Sequence, residues 1–308
     1  MKALVTGGAG FVGSNLAQAL IERGTDVVLL DNFSSGHFEN LADIKADVIS
    51  EDIAGMDWER FPKFDVIFHQ QAITDTTVAD QKWMLNQNTD AFRKLLTFAV
   101  KNQIPLVYAS SAGVYGNEPS PQREAGSLRP LNIYGYSKLQ MDRLAEIAFR
   151  ESKSPITGLR YFNVFGPKEK HKGKVASMIY QLAEQMRAGK RPRIFESGEQ
   201  KRDHIYVKDV VSANLRAWDA RKNGVFNVGT GLATSFNRLI EIINQVLGTH
   251  LEPEYFHNPY SFYQNHTEAD PNLAAQKINF KAEWRIEDGI RDYLQTIYSL
   301  SAVATRKS

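Results

Sequence analysis

Short apolar runs alternate with longer stretches of helical period through the first half of this 308-residue chain, and this alternation restricts its fold more than any other feature. Strands separated by helices build a parallel sheet that is covered on both faces. We therefore expect an α/β fold with a doubly wound parallel sheet. The sheet strands are predicted at residues 2–6, 26–31, 46–49, 65–69, 106–110 and 156–161, and the helices between them at 11–23, 78–102 and 134–152.

The pattern loosens after Gly166, where helices alternate with short strands and Pro-containing loops. This change predicts a main domain over residues 1–166 and a smaller C-terminal α/β lobe over 167–308, with part of 203–230 returning to the main domain. Helices in this second half are predicted at about 175–188, 207–221, 235–247 and 286–300.

Composition excludes several kinds of protein. Lys and Arg total 37 against 35 Asp and Glu, so the net charge of +2 gives no broad basic field, and no nucleic-acid partner is expected. The absence of Cys excludes disulfides and thiolate chemistry, and no cluster of His and carboxylates has metal-ligand spacing, so we expect no metal. No apolar run approaches the roughly 18 residues of a membrane span, and no signal-peptide core is recognisable. We expect a cytoplasmic protein that does not partner a membrane.

A glycine-rich segment directly follows the first predicted strand and opens the first predicted helix: Gly7-Gly8-Ala9-Gly10-Phe11-Val12-Gly13. Small residues allow a tight turn and a close approach to a pyrophosphate, while the helix N-terminus offers unpaired N–H groups and a positive dipole end. Asp31 closes the second strand about 20 residues past the glycines, where a carboxylate can accept hydrogen bonds from both ribose hydroxyls of NAD. The segment predicts that residues 1–166 form a Rossmann-type dinucleotide-binding domain.

The sequence favours one form of the dinucleotide. NADP carries a 2′-phosphate that needs a nearby cation, and residues 32–36 contain none, which favours NAD. His37 and Lys45 lie a little further on and leave NADP open. Asp31 also has a simpler alternative role, which is to cap the turn after its strand.

A Tyr-x-x-x-Lys pair begins the helix predicted at 134–152, and its spacing places Tyr134 and Lys138 on one helix face, a turn apart. A phenol with a pKa near 10 is a poor base, yet an adjacent ammonium and a positive nicotinamide both favour the phenolate. Ser110 and Ser111 end a strand at the sheet edge where such folds bind ligands, and Ser111 is predicted to hydrogen-bond the reacting oxygen. We predict that Tyr134 exchanges a proton with a substrate hydroxyl as a hydride moves.

Three segments together resemble the extended short-chain dehydrogenase/reductase family, and the resemblance covers nearly the whole chain. They are the glycine-rich segment preceded by Thr6, Ser110-Ser111-Ala112 with Tyr134 and Lys138, and Arg160-Tyr161-Phe162-Asn163-Val164-Phe165-Gly166-Pro167. The resemblance implies a tightly bound nicotinamide cofactor, a nucleotide-sugar substrate held by the C-terminal lobe, and a homo-oligomer. The cofactor-binding residues that we predict are Gly7, Gly10, Phe11, Val12, Gly13, Asp31, Asn32, Asp52, Ile53, Gln70, Gln71, Ala72, Asn88, Tyr134, Lys138 and Val164.

Residues 166–173, with the sequence GPKEKHKG, look like the corresponding loop of ADP-glyceromanno-heptose 6-epimerases. In that family a His-Lys-Gly supplies a second acid/base, and Lys172 stands at its position here. Epimerisation through a ketone leaves the oxygen in two poses, so Tyr134 and Lys172 would each serve one of them. Two alternatives stay open: Lys172 is a solvated member of the alternating lysines 168, 170, 172 and 174, or it attracts the diphosphate of the substrate.

The substrate-binding residues that we predict are Thr74, Ser111, Asn163, Lys174, Phe195, Arg202 and Tyr263. Arg202 has an equal alternative role in a salt bridge to Asp203 or Glu196. Asn163 could instead brace its loop, and Tyr263 could belong to the core of the lobe.

The sequence departs from the heptose-epimerase pattern at Phe38, Lys174 and Gln181, where Lys, Ser and His are usual. We predict a nucleotide-sugar epimerase, with ADP-glyceromanno-heptose 6-epimerase as the first hypothesis. A UDP-hexose 4-epimerase is the alternative, followed by a dehydratase, a reductase and a non-catalytic cofactor-binding scaffold.

Overall fold

Seven strands of the described chain form one parallel sheet. The structure is a computed structural model, and it describes residues 1–257 and 264–299. The strands of the main sheet are β1 (Lys2–Thr6), β2 (Asp26–Leu30), β3 (Asp47–Ile49), β4 (Val66–His69), β5 (Leu106–Ser111), β6 (Ile156–Tyr161) and β10 (Gly224–Val228). The remaining strands are β7 (Asn163–Phe165), β8 (Arg193–Phe195), β9 (Lys201–Tyr206), β11 (Ala233–Ser235), β12 (Glu254–Phe256) and β13 (His266–Thr267).

The strand order of the main sheet is β3-β2-β1-β4-β5-β6-β10, and every neighbouring pair is parallel. From β1 the chain adds strands first on one side, through β2 and β3, and then on the other side, through β4 and β5. The connections that follow β1 and β4 therefore lie on opposite faces of the sheet, which opens a crevice at the carboxyl ends of these strands. The predicted doubly wound α/β fold is confirmed. The β10 strand brings residues 224–228 of the second half of the chain into this sheet, while the domain boundary at residue 166 stays a prediction.

Helices cover both faces of the main sheet and build the C-terminal part of the molecule. They are α1 (Phe11–Glu22), α2 (Gln81–Met84), α3 (Ala91–Asn102), α4 (Ile133–Ala148), α5 (Met178–Arg187), α6 (Val207–Ala220), α7 (Phe236–Leu247), α8 (Asn272–Ile278) and α9 (Ile286–Tyr298). The α8 helix was not predicted. The helix predicted at 286–300 ends at Tyr298, and Leu300 lies outside the described residues.

The helix predicted over 78–102 differs most from its prediction. It begins at Gln81, because the carboxylate of Asp80 accepts a hydrogen bond from the backbone N–H of Trp83 at 2.9 Å and caps the helix there. A π-helical segment, Leu85–Asp90, then separates α2 from α3. Such segments are often found at functional sites. The helix predicted from 175 begins at Met178 for the same kind of reason, since the hydroxyl of Ser177 caps it.

The main sheet buries apolar side chains on both faces, because successive residues of a strand point to opposite sides. Leu4 packs in the core beneath α3 and α4, whereas its neighbour Val5 packs in the core beneath α1 and α6. A third core lies in the C-terminal part, where Ile179, Leu239 and Ile290 join α5, α7 and α9. Among the described residues, no helix has the length and apolar character needed to cross a membrane.

Candidate active site

The glycine-rich segment forms a tight turn between β1 and α1. Gly7 has a φ of +69°, and a Cβ added there would lie 2.7 Å from the backbone nitrogen of Gln71. A Cβ on Gly13 would lie 2.0 Å from the carbonyl oxygen of Gly7. Both positions therefore exclude any larger side chain. The turn lines a cleft of about 340 Å³ at the carboxyl edge of the sheet, which we call the sheet cleft.

The sheet cleft contains most of the predicted cofactor residues. Its described lining includes Gly7, Gly10, Phe11, Val12, Gly13, Asp31, Asn32, Gln70, Gln71 and Ala72, together with the predicted substrate residue Thr74 and with Lys172. Glycines that allow close approach, a helix N-terminus and a strand-end carboxylate are the features that hold a dinucleotide pyrophosphate and ribose. The residues present therefore fit NAD.

Asp31 lies at the end of β2 with only 5% of its surface exposed. Its carboxylate accepts hydrogen bonds from the backbone N–H groups of Ala9 at 2.9 Å and Phe33 at 2.8 Å. Burial raises the pKa of Asp31, and these bonds lower it. The carboxylate both caps its turn and lines the sheet cleft, so the two roles considered from the sequence are compatible.

Of the two residues considered for a 2′-phosphate, His37 lies just after this turn and Lys45 lies further along the chain with an exposed side chain. The ring of His37 packs against Phe38 with 4.7 Å between the ring centroids, and its Nδ1 lies 3.7 Å from the carboxylate of Glu39. The Phe38 side chain is 68% exposed. A carboxylate close to His37 disfavours a second anion there, which is consistent with NAD.

Ser111, Tyr134 and Lys138 meet where β5 ends and α4 begins. Asn132 caps α4, because its side-chain oxygen accepts a hydrogen bond from the N–H of Gly135 at 2.8 Å. A Cβ on Gly135 would lie 2.5 Å from the carbonyl oxygen of Gly113, so glycine allows α4 to approach the turn that follows β5. This approach places the Tyr134 hydroxyl in hydrogen-bonding contact with Ser111.

Lys138 is 1% exposed and donates a hydrogen bond to the carbonyl oxygen of Ala109 at 2.7 Å. Burial lowers the pKa of Lys138 to about 8, although the nearby carboxylate of Asp142 raises it. Burial also raises the pKa of Tyr134, and the hydrogen bond with Ser111 lowers it. In the chain without its cofactor, desolvation outweighs the Ser111 hydrogen bond, and the expectation of a phenol made acidic by Lys138 together with a positive nicotinamide stays a prediction.

Lys172 differs from the lysines beside it. The residue is only partly exposed and lines the sheet cleft, whereas Lys170 and Lys174 are exposed. Its ammonium nitrogen lies 5.6 Å from the centroid of the Phe11 ring. Burial lowers the pKa of Lys172, and the carboxylate of Glu169 raises it. The alternative of a fully solvated lysine does not describe this side chain.

The loop around Lys172 is held from both sides. The buried carboxylate of Glu169 accepts hydrogen bonds from the N–H of Gly166 at 3.1 Å and from the hydroxyl of Ser177 at 2.8 Å. On the other side, the Nδ1 of His171 lies 3.1 Å from the amide nitrogen of Asn40, which donates to the carbonyl oxygen of Ala9 in the glycine-rich turn.

Gly173 adopts φ 53° and ψ −118°, a conformation that strains any residue with a Cβ. The glycine of the His-Lys-Gly segment is therefore required by the backbone of the loop.

A second cleft of about 790 Å³ lies beside the first, and we call it the lobe cleft. Lys172 lines both clefts. The predicted residues Asn163, Val164, Lys174, Phe195 and Arg202 line the lobe cleft, and so does Gln181. Five of its described lining residues are Lys or Arg and none is acidic, which suits an anionic ligand.

The alternatives for individual lobe residues are partly answered. The Asn163 amide donates to the carbonyl oxygen of Asp203 at 3.0 Å, so it braces the loop as well as lining the cleft. The buried carboxylate of Asp203 accepts hydrogen bonds from the N–H groups of Thr230 and Gly231, each at 2.9 Å. Tyr263 lies outside the described residues.

Six predicted cofactor residues are not part of the described lining of the sheet cleft: Tyr134 and Lys138 on α4, Val164 in the lobe cleft, and Asp52, Ile53 and Asn88. Ile53 is fully buried in the core, and the Asp52 carboxylate accepts a hydrogen bond from the N–H of Ala54 at 2.8 Å; neither lines the sheet cleft. The buried side chain of Asn88 accepts from the N–H of Ile73 at 2.8 Å and donates to the hydroxyl of Ser137 at 3.0 Å. Asn88 therefore braces the loop after β4 against α4.

A buried network behind Lys138 was not predicted from the sequence. The guanidinium of Arg160 donates to the carboxylate of Asp142 at 3.0 Å, and the hydroxyl of Tyr108 donates to the same carboxylate at 3.0 Å. The Arg160 and Asp142 side chains are 2% and 1% exposed. A signal was present, because Asp142 follows Lys138 by four residues and must share its helix face. Within the described residues, no cluster of His, Cys, Asp and Glu is arranged to bind a metal.

The fold and the sheet cleft define a Rossmann-type, NAD-binding class of protein. A model of the NAD-dependent epimerase/dehydratase family matches residues 3–229, and the chain belongs to this family. The predicted family and the prediction of an NAD-dependent, epimerase-type enzyme are confirmed.

Solved structures similar to the chain include three epimerases. The ADP-L-glycero-D-manno-heptose-6-epimerase of Helicobacter pylori is 41% identical with a TM-score of 0.92, over 97% of this chain and 96% of that one. The UDP-N-acetylglucosamine 4-epimerase of Methanobrevibacter ruminantium is 33% identical with a TM-score of 0.91, over 97% and 98%. The UDP-glucose 4-epimerase of Thermotoga maritima is 30% identical with a TM-score of 0.90, over 97% and 99%.

Proposed function

We propose that this enzyme epimerises ADP-glyceromanno-heptose at C6 of the sugar, by way of a transient ketone. The observation that carries the proposal is the partly buried Lys172, which lines both the sheet cleft and the lobe cleft from a His-Lys-Gly loop. Support also comes from the 41% identity to the heptose epimerase of Helicobacter pylori. NAD, bound along the glycine-rich turn and Asp31, supplies the hydride acceptor and donor.

Ser111 and Tyr134 serve one pose of the substrate. The Ser111 hydroxyl hydrogen-bonds the carbinol oxygen, and Tyr134 Oη takes the proton of the substrate hydroxyl as the C–H bond breaks. Lys138 is buried on the same helix face as Tyr134, one turn further along α4, and its positive charge favours the phenolate form of Tyr134. The result is a ketone whose oxygen stays hydrogen-bonded while the side group of the sugar reorients.

Lys172 serves the other pose. After reorientation the carbonyl oxygen occupies a second position, where the Lys172 ammonium donates a proton as hydride returns to the opposite face of the carbon. A lowered pKa suits this role, because an acid/base is most effective when its pKa approaches the working pH. The cations of the lobe cleft, among them Lys174 and Arg202, hold the diphosphate.

The test is to incubate the purified protein with a single C6 stereoisomer of ADP-glyceromanno-heptose, without added cofactor, and to follow the second stereoisomer by chromatography. Tyr134→Phe should lower kcat by about 10²- to 10⁴-fold. Mass spectrometry of the small molecules released from the denatured variant should still find NAD. Conversion of UDP-hexoses alone would instead establish the alternative, a UDP-hexose 4-epimerase.

The assembly and the cellular location of the enzyme stay predictions from the sequence. We propose a homo-oligomer, on the basis of the family resemblance, and a cytoplasmic location, which the absence of Cys and of a long apolar run favours. Size-exclusion chromatography with light scattering would measure the oligomeric state.

A further inference from the structure

The lobe cleft contains one buried polar side chain whose role is not explained by the fold. His204 lies on β9, is 5% exposed and lines the cleft. Neither of its ring nitrogens has a hydrogen-bond partner within the described chain. The ring of Phe236 lies edge-on to that of His204, with the centroids 6.2 Å apart, and offers no acceptor or donor for these nitrogens.

An unpaired buried polar group is costly. Leaving one unsatisfied costs about 1–3 kcal/mol, so natural proteins rarely keep such a group without a use. An apolar ring at position 204 would pack against Phe236 without that cost. A ligand that enters the cleft and hydrogen-bonds the imidazole would remove the cost at the moment of binding.

Strand register places His204 at the end of the lobe cleft nearest the proposed reaction centre. Ser111 of β5 is paired with Tyr161, the last residue of β6. Two residues later, Asn163 begins β7 and is the register partner of His204 on the parallel strand β9. Partners in register point to the same side of a sheet, and both Asn163 and His204 line the cleft. Other lining residues, such as Arg193 and Phe256, belong to a separate two-stranded sheet.

The charge state of His204 indicates which group it can bind. Burial, with the added effect of Arg202, lowers the pKa of His204 to about 3, so the imidazole is neutral at physiological pH. A neutral imidazole offers one donor and one acceptor. That pair suits a hydroxyl, which can accept and donate, better than a phosphate, which only accepts. The lobe cleft already has cations for the phosphates.

We propose that His204 hydrogen-bonds a hydroxyl of the sugar in the nucleotide-sugar substrate and holds the sugar at the inner end of the lobe cleft. The proposal rests on the proposed function, since it takes the ligand to be a nucleotide sugar. His204 is a positioning residue in this account and exchanges no proton with the reacting carbon.

The experiment compares two ligands on the full-length protein. His204→Phe keeps a ring beside Phe236 and removes both nitrogens, and His204→Gln retains a donor and an acceptor. His266→Phe is a matched control, because His266 lies on the adjacent strand β13 and its side chain is 45% exposed. Dissociation constants for ADP and for ADP-glyceromanno-heptose are measured by calorimetry, with KM, kcat and the melting temperature of each variant.

We expect His204→Phe to weaken binding of ADP-glyceromanno-heptose about 10-fold and to raise KM similarly, as the loss of one hydrogen bond predicts. Binding of ADP should stay within about twofold, because ADP lacks the sugar. The melting temperature should not fall, since an unpaired polar group has been removed. His204→Gln should recover most of the affinity, and His266→Phe should match the wild type.

Three results would overturn the proposal: unchanged affinity for both ligands, an equal loss for ADP and the sugar nucleotide, or a wild type that binds the sugar nucleotide no better than ADP. Failure of the proposed function has a different signature. A wild type that binds ADP-glyceromanno-heptose more tightly than ADP without epimerising it would refute the reaction, while the His204→Phe binding comparison would still decide the role of His204.

Discussion

Two lysines of the loop after β7, Lys168 and Lys172, are partly buried with a lowered pKa, and of these two Lys172 is the one that lines the sheet cleft. Lys172 is partly buried with a lowered pKa, while Lys170 two residues earlier is exposed. The carboxylate of Glu169 lies close enough to act on Lys172 electrostatically and is itself anchored by Ser177. An ammonium in this setting releases its proton more readily than one in water. The same loop thus contains Lys172 as a candidate acid/base and the exposed Lys170 as a control residue for it.

Lys172→Met should lower kcat for epimerisation by about 10²- to 10⁴-fold, because one of the two substrate poses loses its proton donor. Lys170→Met, in the same loop, should leave kcat within about twofold. Steady-state assays on both variants, with NAD content measured in parallel, provide the check. Equal activity of the two variants would leave Tyr134 as the acid/base for both poses.

Lys138 gives the enzyme a predicted pH dependence. Its pKa is lowered to about 8, so the protonated form that favours the Tyr134 phenolate is lost as pH rises through about 8. We expect kcat to fall on the alkaline side of this value, and Lys138→Met to have low activity without that inflection. The measurement is kcat from pH 6 to 10 for both proteins. A wild-type profile that is flat from pH 7 to 9 would show that the charge of Lys138 is not needed.

At the scale of elements, the pair of Asp142 and Arg160 joins α4 to β6. The network continues through the Tyr115 hydroxyl, which accepts from Arg160 at 3.0 Å and donates to Asn227 of β10 at 2.6 Å. Gly158 leaves room for the Tyr108 hydroxyl of this network, because a Cβ at position 158 would lie 2.4 Å from that hydroxyl oxygen. The helix that contains Tyr134 and Lys138 is thereby fixed to three strands of the main sheet.

Asp142→Asn should destabilise the protein by about 3–5 kcal/mol, because the variant leaves the buried guanidinium of Arg160 without a counter-charge. Glu59→Gln is the control, since Glu59 and Lys101 form an ion pair whose side chains are 68% and 61% exposed. That exposed pair should contribute no more than about 1 kcal/mol. Denaturant unfolding measures the free energy of unfolding of both variants. Similar decreases would show that the buried ion pair contributes no more to stability than the exposed one.

Sequence patterns predicted the presence of strands and helices better than the residues at which they end or the burial of their side chains. Apolar runs were sufficient to predict the buried strands β1, β2, β4, β5 and β6, because buried parallel strands have continuous apolar runs, and the exposed edge strand β3 was also predicted. The π-helical segment was missed, since it depends on contacts of Asn88 with the loop after β4 and with Ser137. The spacing of Tyr134 and Lys138 predicted a shared helix face, but burial decided the direction of their pKa shifts. Burial is a property of packing, which spacing alone does not contain.

At the scale of the whole molecule, the fold adds distant cations to the lysine cluster that the sequence shows at residues 168–174. The net charge of +2 excluded a broad basic surface. The fold nevertheless brings Lys172, Lys174, Lys190, Arg193 and Arg202 to the described lining of one cleft, with no acidic side chain among them. Lys172 and Lys174 come from the loop after β7, Lys190 and Arg193 from the segment that enters and begins β8, and Arg202 from β9. Their convergence is a consequence of tertiary structure.

This local field predicts a salt dependence for substrate binding. KM for ADP-glyceromanno-heptose should rise roughly 5- to 10-fold between 0.05 and 0.5 M NaCl, because the Debye length shrinks toward a few ångströms and screens the cations from the diphosphate. The kcat value should change little, since the saturated complex already holds its charges in contact. Lys190→Met should raise KM at low salt and flatten its dependence on salt. A KM that does not change with ionic strength would mean that the cleft recognises its ligand through the base and the sugar rather than through the charge of the diphosphate.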